Sequence, residues 1–96
     1  MPRLQYTKNQ ESQLKGGVQL DVCPGNGTRY DLTAMLDRNG GVIVCWPIMG
    51  WMYRYFWNGD KNASIIKQLG RAGCQNEYDL EAIHGIMDNW FKGVIQ

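Results

Sequence analysis

The side chains able to do chemistry here are few: His84, the cysteines Cys23, Cys45 and Cys74, and nine carboxylates. His84 follows Ile83 on a stretch of helical periodicity, next to its apolar stripe. That position suits a partly buried helical histidine better than a general base. A cysteine nucleophile needs a cation or a helix start to lower its pKa, and none of the three cysteines has such a neighbour in sequence. No CxxC pair occurs, and one histidine with widely spaced cysteines gives no metal-ligand pattern. Asp31, Asp37, Asp60, Asp79 and Asp88 are scattered over turns, caps and exposed helix positions, so no paired acid–base work is indicated.

Two further motifs fail on their surroundings. Pro24-Gly25-Asn26-Gly27-Thr28-Arg29 lacks the GxxxxGK[ST] pattern and leads into a strand, which makes it a turn and not a phosphate cradle. The stretch IIKQLGRAGCQNEYDLEAIHGI has two helical patterns around a glycine turn, but Glu77, Asp79 and Glu81 would present acid to DNA phosphates. No enzyme, catalytic residue, metal or cofactor is therefore expected.

What does stand out is GWMYRYFWNGD, residues 50–60, in which Trp51, Tyr53, Tyr55, Phe56 and Trp57 crowd around Arg54. Aromatic residues, Met and Arg are the types enriched at the centres of protein interfaces. The same rings, interleaved with Arg29, Arg54 and Lys61, would also suit base stacking.

The elements that must position these residues follow from periodicity. Val18, Leu20 and Val22 alternate with polar residues and give a short strand, ended by the 23–27 turn. A second strand runs over 28–36, and Asp37-Arg38-Asn39-Gly40 is a hairpin signal that returns the chain through Val42–Trp46. Pro47-Ile48-Met49-Gly50 turns it again into a fourth strand, Trp51–Trp57. The period then becomes helical. Asp60 or Asn62 can cap a helix near 61–71 carrying Ile65, Ile66 and Leu69, and Asn76 a second near 76–92 carrying Leu80, Ile83, Met87, Trp90 and Phe91. The expectation is an α+β domain over residues 17–96, a small antiparallel sheet of about four strands followed by two helices packed on one face. Residues 1–16 read as a polar N-terminal arm.

Composition agrees with one globular domain. The chain has 96 residues, 44% hydrophobic and 20% charged, enough to bury roughly 60–70% of its unfolded surface. Ten Lys and Arg against nine Asp and Glu leave a net charge of +1, which gives no long-range field for nucleic acid or an anionic membrane. With no apolar leader, no long apolar run and an odd cysteine count, a soluble cytoplasmic protein without membrane attachment is expected.

Strand parity sharpens the role of the aromatic stretch. With a two- or four-residue loop at 37–40, Leu32, Ala34 and Leu36 share a face with Ile43 and Cys45; a three-residue loop exchanges the sets. With an even turn at 47–50, Val44 and Trp46 lie beside Trp51 and Tyr53, so both faces are apolar while two helices cover only one. Trp46, Trp51, Tyr53, Tyr55 and Trp57, with Arg29 and Arg54, are then the expected binding residues. The function expected is a non-enzymatic protein-binding module, of the kind of a small inhibitor or adaptor such as a phage accessory protein acting on a host system. Its partner is another protein or a second copy. The alternative is binding of a nucleotide or single-stranded nucleic acid by stacking. The N-terminal arm, through Leu4 and Tyr6, is the competing cover for the aromatic face.

Overall fold

In the computed structural model, which describes residues 6–38, 40–57, 64–69 and 77–93, the alternation between residues 18 and 57 forms four strands. They are β1 (Val18–Val22), β2 (Tyr30–Leu36), β3 (Val42–Trp46) and β4 (Trp51–Phe56). A fifth strand, β5 (Ile65–Leu69), and two helices, α1 (Lys8–Gly16) and α2 (Glu77–Lys92), complete the described elements. All neighbours pair antiparallel in the order β1-β2-β3-β4-β5, a five-stranded meander. The class is α+β.

Two elements differ from the periodicity. Residues 65–69, expected in a helix near 61–71, form an edge strand in which Ile66 pairs with Tyr55 and Ile65 with Phe56. Apolar residues at 65, 66 and 69 fit either period, and the backbone edge of β4 decides between them. The expected caps Asp60, Asn62 and Asn76 lie outside the described residues, as do Leu4, Lys61 and Cys74. The second difference is in the expected polar arm, where Lys8–Gly16 are helical. The Thr7 hydroxyl accepts from the Gln10 amide at 3.1 Å while the Gln10 side chain accepts from the Thr7 amide at 3.0 Å. This reciprocal cap satisfies two of the helix's free N–H groups. Leu14 carries the helix into the core, fully buried.

Register is set by the turn after β2. The Asp37 amide donates to the Gly41 carbonyl at 2.8 Å, closing a three-residue loop over 38–40 in which Gly40 takes φ 90°. Ala34 therefore faces Val44, and Leu36 faces Val42. Leu32, Ala34 and Leu36 thus share a face with Val42, Val44 and Trp46, not with Ile43 and Cys45. The turn at 47–50 is even, so Trp46 meets Trp51 and Val44 meets Tyr53.

Both helices cover the face so formed. Leu20, Leu32, Val44, Tyr53 and Tyr55 join Leu14 of α1 and Ile83 and Met87 of α2 in one buried cluster. The Gln10 side-chain amide also donates to the Phe91 carbonyl at 3.0 Å, tying α1 to the end of α2. No helix among the described residues is long and apolar enough to cross a membrane.

Candidate binding surfaces

The aromatic strand, expected to face a partner, faces α2. Tyr53 and Tyr55 are fully buried, and Trp46 and Trp57 are 4% and 8% exposed; Trp51 is half-buried against Trp46. Phe91 of α2 stacks on Tyr55 at 5.4 Å and on Trp57 at 5.8 Å between centroids, and Trp46 lies 4.8 Å from Tyr30. Such ring pairs contribute about 0.5–1.5 kcal/mol each beyond their buried area. The physical reason for the difference is the stripe on α2: its wide rings match the sheet face holding β4's odd-numbered residues. Trp46, Tyr53, Tyr55 and Trp57 are therefore core, Trp51 packs partly buried against them, and Arg29 and Arg54 are not brought to these rings.

Arg54 lies on the opposite face, its guanidinium donating to Asp37 at 2.7 Å. Arg29 makes two bonds to Asp21 across the β1–β2 hairpin, at 2.7 and 2.6 Å, and this hydrogen bonding holds the Asp21 carboxyl below its ordinary range. The rings of Trp46, Trp51, Tyr53, Tyr55 and Trp57 and the two arginines thus stand on different sides of the sheet.

Two phenols on the covered face are matched to carboxylates of α2, while the buried Tyr53 hydroxyl and Trp46 Nε1 have no hydrogen-bond partner among the described residues. The Tyr30 hydroxyl donates to Asp79 at 2.6 Å and accepts from the Asn26 side-chain amide at 3.0 Å. The Tyr55 hydroxyl donates to Asp88. Burial, reinforced by these carboxylates, pushes both phenols up from their ordinary pKa. His84 Nε2 lies 2.8 Å from the Ser64 hydroxyl and 3.9 Å from Asp88. In a catalytic relay serine and carboxylate address opposite ring nitrogens. Here both approach the same one, so the contact serves to tie the start of β5 to α2. Among the described residues no cluster of three or more His, Cys, Asp or Glu side chains is arranged to hold a metal ion, and Cys23 and Cys45 are free thiols.

Among the described residues two open surfaces stand out, and the expected site included of them only Arg29 and Arg54. The first is the uncovered sheet face. Met35 and Met52 are 44% and 43% exposed, and half-buried Ile43, Cys45 and Phe56 lie between and beside them. Phe56 lies over Gly41, where an added Cβ would come within 2.9 Å of its ring. Arg54 stands within this strip, between Met52 and Phe56 on β4 and opposite Ile43, and Asp21, Asp31, Asp37, Arg29 and Lys67 stand around it, so that the face carries three charges of each sign. The signal that finds this face is the three-residue loop, which moves Ile43 and Cys45 away from the core.

The second is a groove of about 380 Å3 between the β1–β2 loop and the outer side of α2. Val22, Ala82 and Ile86 make its apolar bed, and Tyr78, Glu81 and Asn89 stand around it. Tyr78 is 57% exposed, and its hydroxyl reaches the Asn26 carbonyl at 3.4 Å. Gly85 also lines the groove, in mid-helix, and a Cβ there would meet nothing within 4 Å. An interior helical glycine costs about 1 kcal/mol against alanine, and internal packing does not require one here.

Comparison with protein-family models, with curated proteins and with solved structures returns no match, so function has to be read from the chain's own geometry.

Proposed function

We propose that this chain is a non-enzymatic protein-binding module of the adaptor or inhibitor kind that docks through the uncovered sheet face, and that a second copy of the chain occupies that face. The observation that carries the proposal is the strip Met35, Ile43, Cys45, Met52 and Phe56, left open while both helices sit on the other side. A contiguous apolar patch on a small domain marks an interaction surface. Antiparallel sheets commonly bury such faces against a second sheet about 10 Å away. Balanced charge around the strip favours a self-complementary contact: two copies meet without net repulsion, and a two-fold rotation can set cations against carboxylates. Free thiols at Cys23 and Cys45 fit a reducing, cytoplasmic setting. Base stacking finds less support, because the core rings and the paired arginines lie on different sides.

Sedimentation equilibrium on the full chain tests the proposal. A dimer at micromolar concentration is expected, with Met52→Lys dissociating it at least tenfold more readily while the variant keeps a native dichroism spectrum and unfolds cooperatively. A wild type that stays monomeric to hundreds of micromolar overturns self-docking, as does a dimer indifferent to Met52→Lys and Ile43→Lys.

A further inference from the structure

The groove beside α2 lies apart from the sheet face and has its own chemistry. Glu81 is the one charged residue among those lining it, and no ion pair engages that carboxylate among the described residues. It stands over an apolar bed of Val22, Ala82 and Ile86, where a cation with a hydrocarbon stem gains on both counts. The exposed Tyr78 ring is one turn away, its hydroxyl tethered to the β1–β2 loop. That loop is itself braced, since Asn26 accepts from the Thr28 amide at 3.0 Å and donates to Tyr30 at 3.0 Å. A planar cation can stack on the exposed Tyr78 ring while it meets the carboxylate.

We propose that this groove takes an arginine side chain presented by an extended peptide segment of a partner protein. A guanidinium matches a carboxylate with two parallel N–H bonds and stacks on an aromatic face, which an ammonium does less well. Its three methylenes lie along Ala82 and Ile86. Length argues for a peptide over a free amine. Glu81 and Asn89 are eight residues apart on the helix, about 12 Å at 1.5 Å per residue. That span matches roughly four extended residues, and the Asn89 amide offers one donor and one acceptor to a peptide backbone. The volume, about 380 Å3, falls within the roughly 300–1,000 Å3 of small-ligand sites. Gly85 is among the lining residues and an added Cβ there would meet open space, so a side chain at 85 would take up room that the ligand uses.

The probe is the capped tripeptide Ac-Ala-Arg-Ala-NH2, titrated into isotopically labelled full-length protein and followed by amide chemical shifts. Its lysine and citrulline counterparts are the comparison ligands. Binding in the millimolar range is expected, with shifts confined to residues 22–28 and 78–89. Citrulline, which keeps the shape without the charge, should bind at least tenfold more weakly, and Glu81→Gln should weaken the arginine peptide as much. Gly85→Ala separates site from scaffold: it should raise Tm by roughly 4 °C through helix propensity while weakening the peptide severalfold. The Met52→Lys variant should bind the peptide as the wild type does, which keeps this test independent of self-association. No shift in the groove at 10 mM peptide overturns the proposal. Equal binding of citrulline, or of arginine to Glu81→Gln, overturns it as well, and equal binding of lysine overturns the choice of arginine.

Discussion

The Tyr30 hydroxyl donates a 2.6 Å hydrogen bond to Asp79, joining the first residue of β2 to the first turn of α2 across a separation of 49 residues. Tyr30 is fully buried and Asp79 is 7% exposed. A buried carboxylate is costly unless hydrogen-bonded, and two features offset that cost here: the phenol, and the helix start, where the dipole favours negative charge. A second phenol–carboxylate pair lies about two and a half turns further along α2, away from the helix start, where Tyr55 donates to Asp88.

Tyr30→Phe removes the phenol and leaves the ring. The loss should be about 2 kcal/mol, the scale of a hydrogen bond to a charged group, and urea unfolding with an unchanged m-value would report it. A midpoint equal to the wild type would mean that the bond has no net effect on stability.

Tyr53 predicts the opposite sign. Its hydroxyl is fully buried and has no hydrogen-bond partner among the described residues, and burial pushes its pKa up to about 12. Deleting a buried polar atom that has no partner relieves desolvation. Tyr53→Phe should therefore be neutral or stabilising by about 1 kcal/mol, against the loss at Tyr30, and the two variants measured side by side in urea check the contrast.

The raised phenols also set an alkaline limit. Their pKa values lie above the unfolded value of about 10, so the folded state favours the protonated form. The stability involved is complete below pH 10 and is lost as pH rises through the folded values, for Tyr53 between about 10 and about 12. Tyrosinate absorbance near 295 nm should show these groups ionising together with loss of near-ultraviolet dichroism. Ionisation of every tyrosine near pH 10 with the dichroism intact would contradict this.

The first four strands were legible because Val18–Val22 and Val42–Trp46 alternate or run apolar between strong turn residues. The first helix carried a readable signal too: Thr7 and Gln10 stand at capping-box spacing. Its weak apolar stripe, with Leu14 as its buried residue, hid it. Ile65, Ile66 and Leu69 could not be decided locally, since only the edge of β4 selects the strand period. The candidate surface turned on a single residue of loop length. Asp37 and Gly41 close a three-residue turn, and that parity exchanges which β3 residues join Ala34 in the core. Nothing local to residues 37–41 favours three over four, because Asn-Gly turns serve both.

That exchange can be tested by comparing the two sides of the sheet. Trp46 and Tyr55 sit beneath the helices at 4% and 0% exposure, whereas Met52, between them in the sheet, is 43% exposed on the other side. Trp46→Ala and Tyr55→Ala each open a large cavity and should cost about 3–5 kcal/mol. At a dilution where the wild type is also monomeric, Met52→Lys should change stability by less than about 0.5 kcal/mol, the usual range for a surface position, while weakening self-association at higher concentration. Fluorescence quenching by acrylamide gives a second readout: Trp46 and Trp57 should be shielded in a monomer forced by Met52→Lys as fully as in the wild type. If Trp46→Ala or Tyr55→Ala left stability intact and abolished association, the aromatic face would be the docking surface and the uncovered face would lose its role.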